Sequence, residues 1–144
     1  MRKPANQQRL ALRTIEQAKA LAKDDPMPWV AQASAVLFRE FDRLHILRSE
    51  MFASDAAFDA RPAASWVAQN RKQFDEALTG AEKIAQDRQA HNKNDLAALF
   101  ALTLVTGMRA DDAALISKHN FAALSYTKTA TGYAEKLLAL SPDY

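Results

Sequence analysis

Apolar side chains recur along this chain at spacings of three and four residues, the signature of helices that bury one face. Ala11, Ile15, Ala18 and Ala22, with Leu21 at the border, predict a first helix over about Asn6 to Lys23. Asp24-Asp25-Pro26 ends it. Asp25 is then placed to cap a second helix, with Pro26 at the first helical position, where its missing N–H costs nothing. Val30, Ala33, Leu37, Phe41, Leu44, Leu47 and Met51 form the next stripe, widened by Phe38 and Ile46, so this helix is expected to be contacted on two sides. The period is lost over SDAAFDARP, residues 54–62, which reads as a connector.

A third helix is expected from Ala64 or Ser65, with Val67, Phe74, Ala77, Leu78, Ala81, Ile84 and Ala85 inward. Gly80 interrupts that pattern at about 1 kcal/mol relative to alanine, a cost that close packing by a neighbour would explain. HNKND, from His91 to Asp95, breaks the chain again. A fourth helix follows from Leu96 to about Gly107. Asp111 is placed to cap a short helix through Ile116, and Asn120 a last one to about Leu140. No strand-like alternation or hairpin signal occurs. The expected class is all-α: a single domain of five to six helices in antiparallel hairpins, with an N-terminal hairpin over 1–53 and further hairpins over 64–144.

Composition agrees. The chain has 144 residues, with only three glycines and five prolines among many good helix formers. Nineteen basic and seventeen acidic side chains leave a formal charge of +2, and the basic ones are scattered rather than gathered on a polyanion-binding face. There is no cysteine, which excludes disulfides and thiolate chemistry. The start, MRKPANQQRLALR, has no apolar segment behind its basic residues and does not read as a secretory signal.

The most apolar stretch, LAALFALTLVTGMRADDAALI, carries thirteen uncharged residues from Leu96 to Met108. That is short of the roughly 20 needed to cross a bilayer, so no membrane span is expected. Leu102, Thr106, Gly107, Arg109, Asp112 and Leu115 resemble the first catalytic box of tyrosine recombinases. That resemblance implies an arginine, Arg109, that neutralises a scissile phosphate, and a chain that binds duplex DNA. It spans about twenty residues, and its His-x-x-Arg partner is missing: His119 is followed by Asn-Phe-Ala. The plainer reading of Gly107-Met108-Arg109 is a helix C-terminus, with Gly107 as the left-handed cap and Arg109 in solvent at the negative dipole end.

Ala130, Ala134, Leu137 and Pro142 resemble the second helix of a tetratricopeptide hairpin, with a fainter echo in Ala81, Ala85 and Lys93. Pro142 lies 49 residues after Lys93, against a family period of 34; the excess corresponds to an inserted turn around Asp111 to Ile116. The last 50 residues are also similar to uncharacterised bacterial helical-repeat proteins in which this block leads into further helices. These resemblances imply a right-handed stack of helical hairpins, the N-terminal part of a longer scaffold, whose concave face receives another protein or a peptide. The alternatives are the DNA-binding recombinase fragment and a bundle holding a small apolar ligand.

No residue constellation points to an enzyme or a cofactor. His45, His91 and His119 lack the paired Glu-x-x-His spacing of a metal bundle, and Glu40 and His45, five apart, do not share a helix face. Asp111-Asp112 reads as a dipole-compensating pair at a helix start. Ser125, Tyr126 and Lys128 have no activating base or oxyanion device beside them. Asn70, Arg71, Gln73, Asp75, Glu82 and Lys83 are assigned to a solvated face of the third helix, so a partner is expected instead on the hairpin faces lined by the first and second helices. Trp29 and Trp66, each at a helix start, read as packing their own hairpins, with contact to a partner as the alternative, since tryptophan is enriched at binding hot spots.

Overall fold

A computed structural model describes residues 4–46 and 63–144. The protein is all-α. Helix α1 spans Pro4–Leu21, α2 Met27–Arg43, α3 Ala68–His91, α4 Leu96–Asp111 and α5 Asn120–Leu140; a single π-helical turn, Asp112–Ile116, continues α4. Consecutive helices pack on one another, and α2 also touches α4. They run antiparallel: Arg88 near the end of α3 reaches the Asp24 carbonyl before α2, while Glu40 near the end of α2 bonds Asn70 at the start of α3. Lys136 late in α5 likewise reaches back to the Lys93 carbonyl ahead of α4.

Asp25 accepts from the Met27 N–H at 2.9 Å, but α2 begins at Met27 with Pro26 at its N-cap, one residue later than the sequence pattern predicts. Helix α4 is capped by Asp95, which accepts from the Ala98 N–H at 2.8 Å and from Arg88. Its predominantly apolar sequence is explained by its neighbours, since α2, α3 and α5 all pack against it. The core is built from Val30, Ala33, Val36, Leu37 and Phe41 of α2, Phe74, Ala77, Leu78, Ala81 and Ala85 of α3, and Ala98, Ala101, Leu102 and Val105 of α4. The alanines let the backbones approach closely. Gly80 has the reason its sequence position required, because a Cβ there would lie inside the Trp29 ring.

Helix α2 ends earlier than its apolar stripe suggests. Leu44 to Ile46 form a turn, with His45 in the left-handed region at φ 57°. The Ile46 N–H bonds the Phe41 carbonyl at 2.9 Å and the His45 N–H bonds that of Asp42 at 3.1 Å, a Schellman closure. It folds Ile46 into the core, while Phe38 stays half-exposed at 53%. Leu47, Met51 and the connector at 54–62 lie outside the described residues. Helix α3 starts at Ala68 rather than Ala64 or Ser65, because residues 63–67 are held extended by bonds to both neighbours, described below. Gly107 is no left-handed cap: α4 runs through it to Asp111, and no glycine has positive φ.

The two outer helices differ from the core. No described side chain of α1 is buried, and of α5 only Ala123 and Leu137 are. Among the described residues, no helix is long and apolar enough to cross a membrane.

Candidate functional site

The turn after α4 is where the sequence pattern and the structure diverge most. Asp111 and Asp112 do not form an exposed capping pair. Asp111 is exposed and makes no capping bond, whereas Asp112 opens the π-helical turn with 7% of its surface exposed. Ala113 and Ile116 are buried beside it. Extra residues in a helical turn are frequent at functional sites, because they re-aim a side chain. Here the redirected side chain is the Asp112 carboxylate.

That carboxylate gathers three elements. Its Oδ1 accepts from the Trp66 indole N–H at 2.7 Å and from the Ser117 hydroxyl at 3.3 Å, and its Oδ2 accepts from Arg71 Nη1 at 2.6 Å. Arg71 also donates through Nε to Asp75 at 3.1 Å and lies over the Trp66 ring, 5.4 Å from its centroid. Trp66 also stacks on Phe74, centroids 4.8 Å apart. The indole is thus held by Arg71 and Phe74 against its ring and by Asp112 at its N–H. Burial alone would lower the Arg71 pKa, but bonding to Asp112 and Asp75 raises it, so the guanidinium stays charged.

The extended segment before α3 is held from both sides. Toward the π-helical turn, the Ala64 N–H bonds the Ile116 carbonyl at 2.8 Å. Toward α2, Arg43 donates to the Ser65 carbonyl at 2.7 Å and the Val67 N–H donates to Glu40 at 3.1 Å. Glu40 is fully buried and also accepts from Asn70 at 2.6 Å and from Arg43 at 2.8 Å. Burial would push its pKa up, yet the bonds from Arg43, Asn70 and the Val67 N–H hold it below the ordinary carboxylate range.

Between α3, the π-helical turn and the first turns of α5 lies an open cleft of about 470 Å³. Trp66, Phe74, Leu78 and Ala113 supply its apolar lining, and Ala122 and Tyr126 of α5 form the opposite wall. Arg71, Asp75, Arg109, Asp112, Ser117 and His119 supply its polar groups. Arg109 is not a free cation at a helix end; its guanidinium is bonded to the Glu82 carboxylate. The cleft therefore combines an apolar floor with charges that are already paired.

Of the two tryptophans singled out from the sequence, Trp66 lines this cleft. Trp29 is used elsewhere, against Gly80 and beneath the Lys19 ammonium, 3.8 Å from the ring centroid. Asp75 and Lys83 of α3 are exposed as expected, but the other four residues assigned to solvent are engaged across the fold: Asn70, Arg71, Gln73 and Glu82 bond Glu40, Asp112, Arg39 and Arg109 respectively. A signal for this was present. Glu40 follows Val36 and Leu37 at core spacing, and Arg71 lies in line with Val67, Phe74 and Leu78, where the helical period asks for apolar residues. Among the described residues no group of three or more His, Cys, Asp or Glu is placed to hold a metal ion. Comparison with known protein families, with characterised proteins and with solved structures finds no match to this chain.

Proposed function

We propose that this protein is a non-enzymatic helical-hairpin scaffold, tetratricopeptide-like in arrangement, whose cleft binds a peptide segment of another protein. The carrying observation is the cleft beside Trp66: an apolar floor, paired charges at its rim, and a wall fixed by the Asp112 network. A preorganised aromatic contact costs little ordering entropy on binding. The antiparallel succession of helices, with α2 touching both α3 and α4, supports the repeat-like arrangement. Partner contact falls to Trp66, since Trp29 is committed to Gly80 and Lys19.

Two features favour a peptide over the other readings. The cleft is open and edged by polar groups, which suits an extended chain better than a small apolar molecule. Arg109 shares its charge with Glu82, which weakens it as a phosphate ligand and disfavours the recombinase reading.

The test is selection of peptides from a random display library, followed by binding to two variants. Ala122→Trp fills the cleft from α5, and Arg71→Gln removes the rim cation. Peptides bound by this cleft lose at least tenfold in affinity on Ala122→Trp, and their binding shields Trp66 fluorescence from quenchers. Peptides that bind Ala122→Trp as well as they bind the unaltered protein would overturn the assignment.

A further inference from the structure

Helix α5 presents a second surface, on the side away from the cleft. Ala123, Ala130, Ala134 and Leu137 face inward, with Ala123 and Leu137 buried. At 3.6 residues per turn, Leu124, Lys128, Thr131, Glu135 and Leu138 form a separate stripe at spacings of four, three, four and three. All five are exposed, Leu124 at 69%, and Phe121 at the same end of the helix is 92% exposed. Spacings of this kind make a seam for another helix.

Two observations bear on what covers it. Lys128 and Glu135 have no ion-pair partner among the described residues, and they are seven residues apart, about 10 Å along the axis and too far to pair with each other. They stand on either side of Thr131 and Gly132. Gly132, in the interior of α5, has nothing within 4 Å of the position a Cβ would take, so unlike Gly80 it has no close approach within the chain to account for its helix cost.

We infer that this face of α5 pairs antiparallel with α5 of a second copy of the chain, about a two-fold axis passing between Thr131 and Gly132. In that arrangement Lys128 of each copy meets Glu135 of the other, and Leu124 lies over Leu138 and Ala139 of its partner. A parallel pairing would set lysine against lysine. The stripe is thus self-complementary in the one sense that an isologous contact requires. At the crossing Thr131 of one copy faces Thr131 of the other, and Gly132, about 100° around the helix, leaves open space beside it. The seam from Leu124 to Leu138 is about 21 Å long and one helix wide, smaller than the patch of a standard stable complex, so the pairing is concentration-dependent. It uses neither Ala122 nor Tyr126 and stands independently of peptide binding in the cleft.

Sedimentation of the full chain between 5 and 500 µM reads the association. The expected result is a monomer at the low end and a dimer at the high end. Lys128→Glu and Glu135→Lys should each weaken it at least tenfold, and the double variant, which restores both cross-pairs, should recover it. The chain has no cysteine, so Thr131→Cys should form a disulfide-linked dimer on mild oxidation, while Thr129→Cys, exposed but off the seam, should not. Circular dichroism confirms that each variant folds. A monomer at 500 µM, single charge reversals without effect, or equal linking at both cysteines would overturn the pairing, including the case in which a different protein covers this face.

Discussion

Glu40 and Asp112 hold the same short extended segment from opposite sides, and their surroundings differ in one respect. Glu40 is sealed: its carboxylate is fully buried, and its bonds go to Arg43, Asn70 and the Val67 N–H. Asp112 is nearly as buried, but its partners Trp66 and Arg71 form the wall of the open cleft. The two sites use similar chemistry for different ends. At α2 the network fixes where α3 begins; at the π-helical turn it orients an aromatic ring toward a space that a ligand can enter. A buried carboxylate becomes interesting for function when its donors line a cleft, as Trp66 and Arg71 do and the equally exposed Arg43 does not.

The sharpest way to break the comparison is to remove each carboxylate in turn. Glu40→Ala leaves Asn70 and the Val67 N–H without their acceptor in the core and should cost about 3 kcal/mol in denaturant unfolding. Asp112→Ala should cost less, about 1–2 kcal/mol, because Arg71 retains Asp75 and can turn to water. If peptide binding falls at least tenfold for Asp112→Ala while the protein remains folded, the two roles are separated. Equal stability losses with unchanged binding would make Asp112 a second structural staple.

Acid titration probes the sealed side. The Glu40 pKa is depressed in the folded protein, so its stabilising contribution is fully present above the unfolded value, about pH 4–5 for glutamate, and is lost as the pH falls through the folded value. Unfolding free energy should therefore decline below about pH 5. That decline should be shallower in Glu40→Gln, which has no proton to take up. An unchanged slope in Glu40→Gln would mean that other carboxylates, such as Asp95 with its own depressed pKa, dominate acid unfolding.

On the cleft side, Trp66→Phe keeps an aromatic over Phe74 but removes the indole N–H from Asp112. Its expected stability cost is about 1 kcal/mol. Because the ring loses the bond that fixes its rotation, peptide affinity should fall further than stability does. The matching loss at Glu40, Asn70→Ala, should affect stability and leave peptide affinity unchanged.

Much of this architecture was legible in periodicity. The order of helices, the Asp25-Pro26 boundary ahead of α2 and close packing at Gly80 follow from apolar spacing and backbone chemistry. What the stripe could not mark was where long-range bonds override it. Residues 63–67, apolar except for Ser65, suit a helix start, yet are held out of the helix by the Ile116 carbonyl, Arg43 and Glu40, all distant in sequence. Likewise, a charged residue on the helical stripe looks like an edge position until its partner is known. Arg71 finds that partner 41 residues away, and no local pattern encodes such a distance.

The smallest predicted effect concerns how each of these regions turns the chain. Both end in a non-glycine residue with positive φ: His45 at 57° after α2 and Lys118 at 56° after the π-helical turn. At His45 the conformation closes a Schellman motif that returns Ile46 to the core, and the imidazole makes no hydrogen bond among the described residues. Glycine adopts this region without the Cβ clash that costs an L-residue roughly 1 kcal/mol, although it gives back part of that through greater freedom when unfolded. His45→Gly should therefore stabilise the protein by about 0.5 kcal/mol, read as a higher denaturant midpoint with an unchanged m-value. A lower midpoint would show that the imidazole contributes contacts of its own, and that the end of α2 is held by its side chains as tightly as the cleft side is.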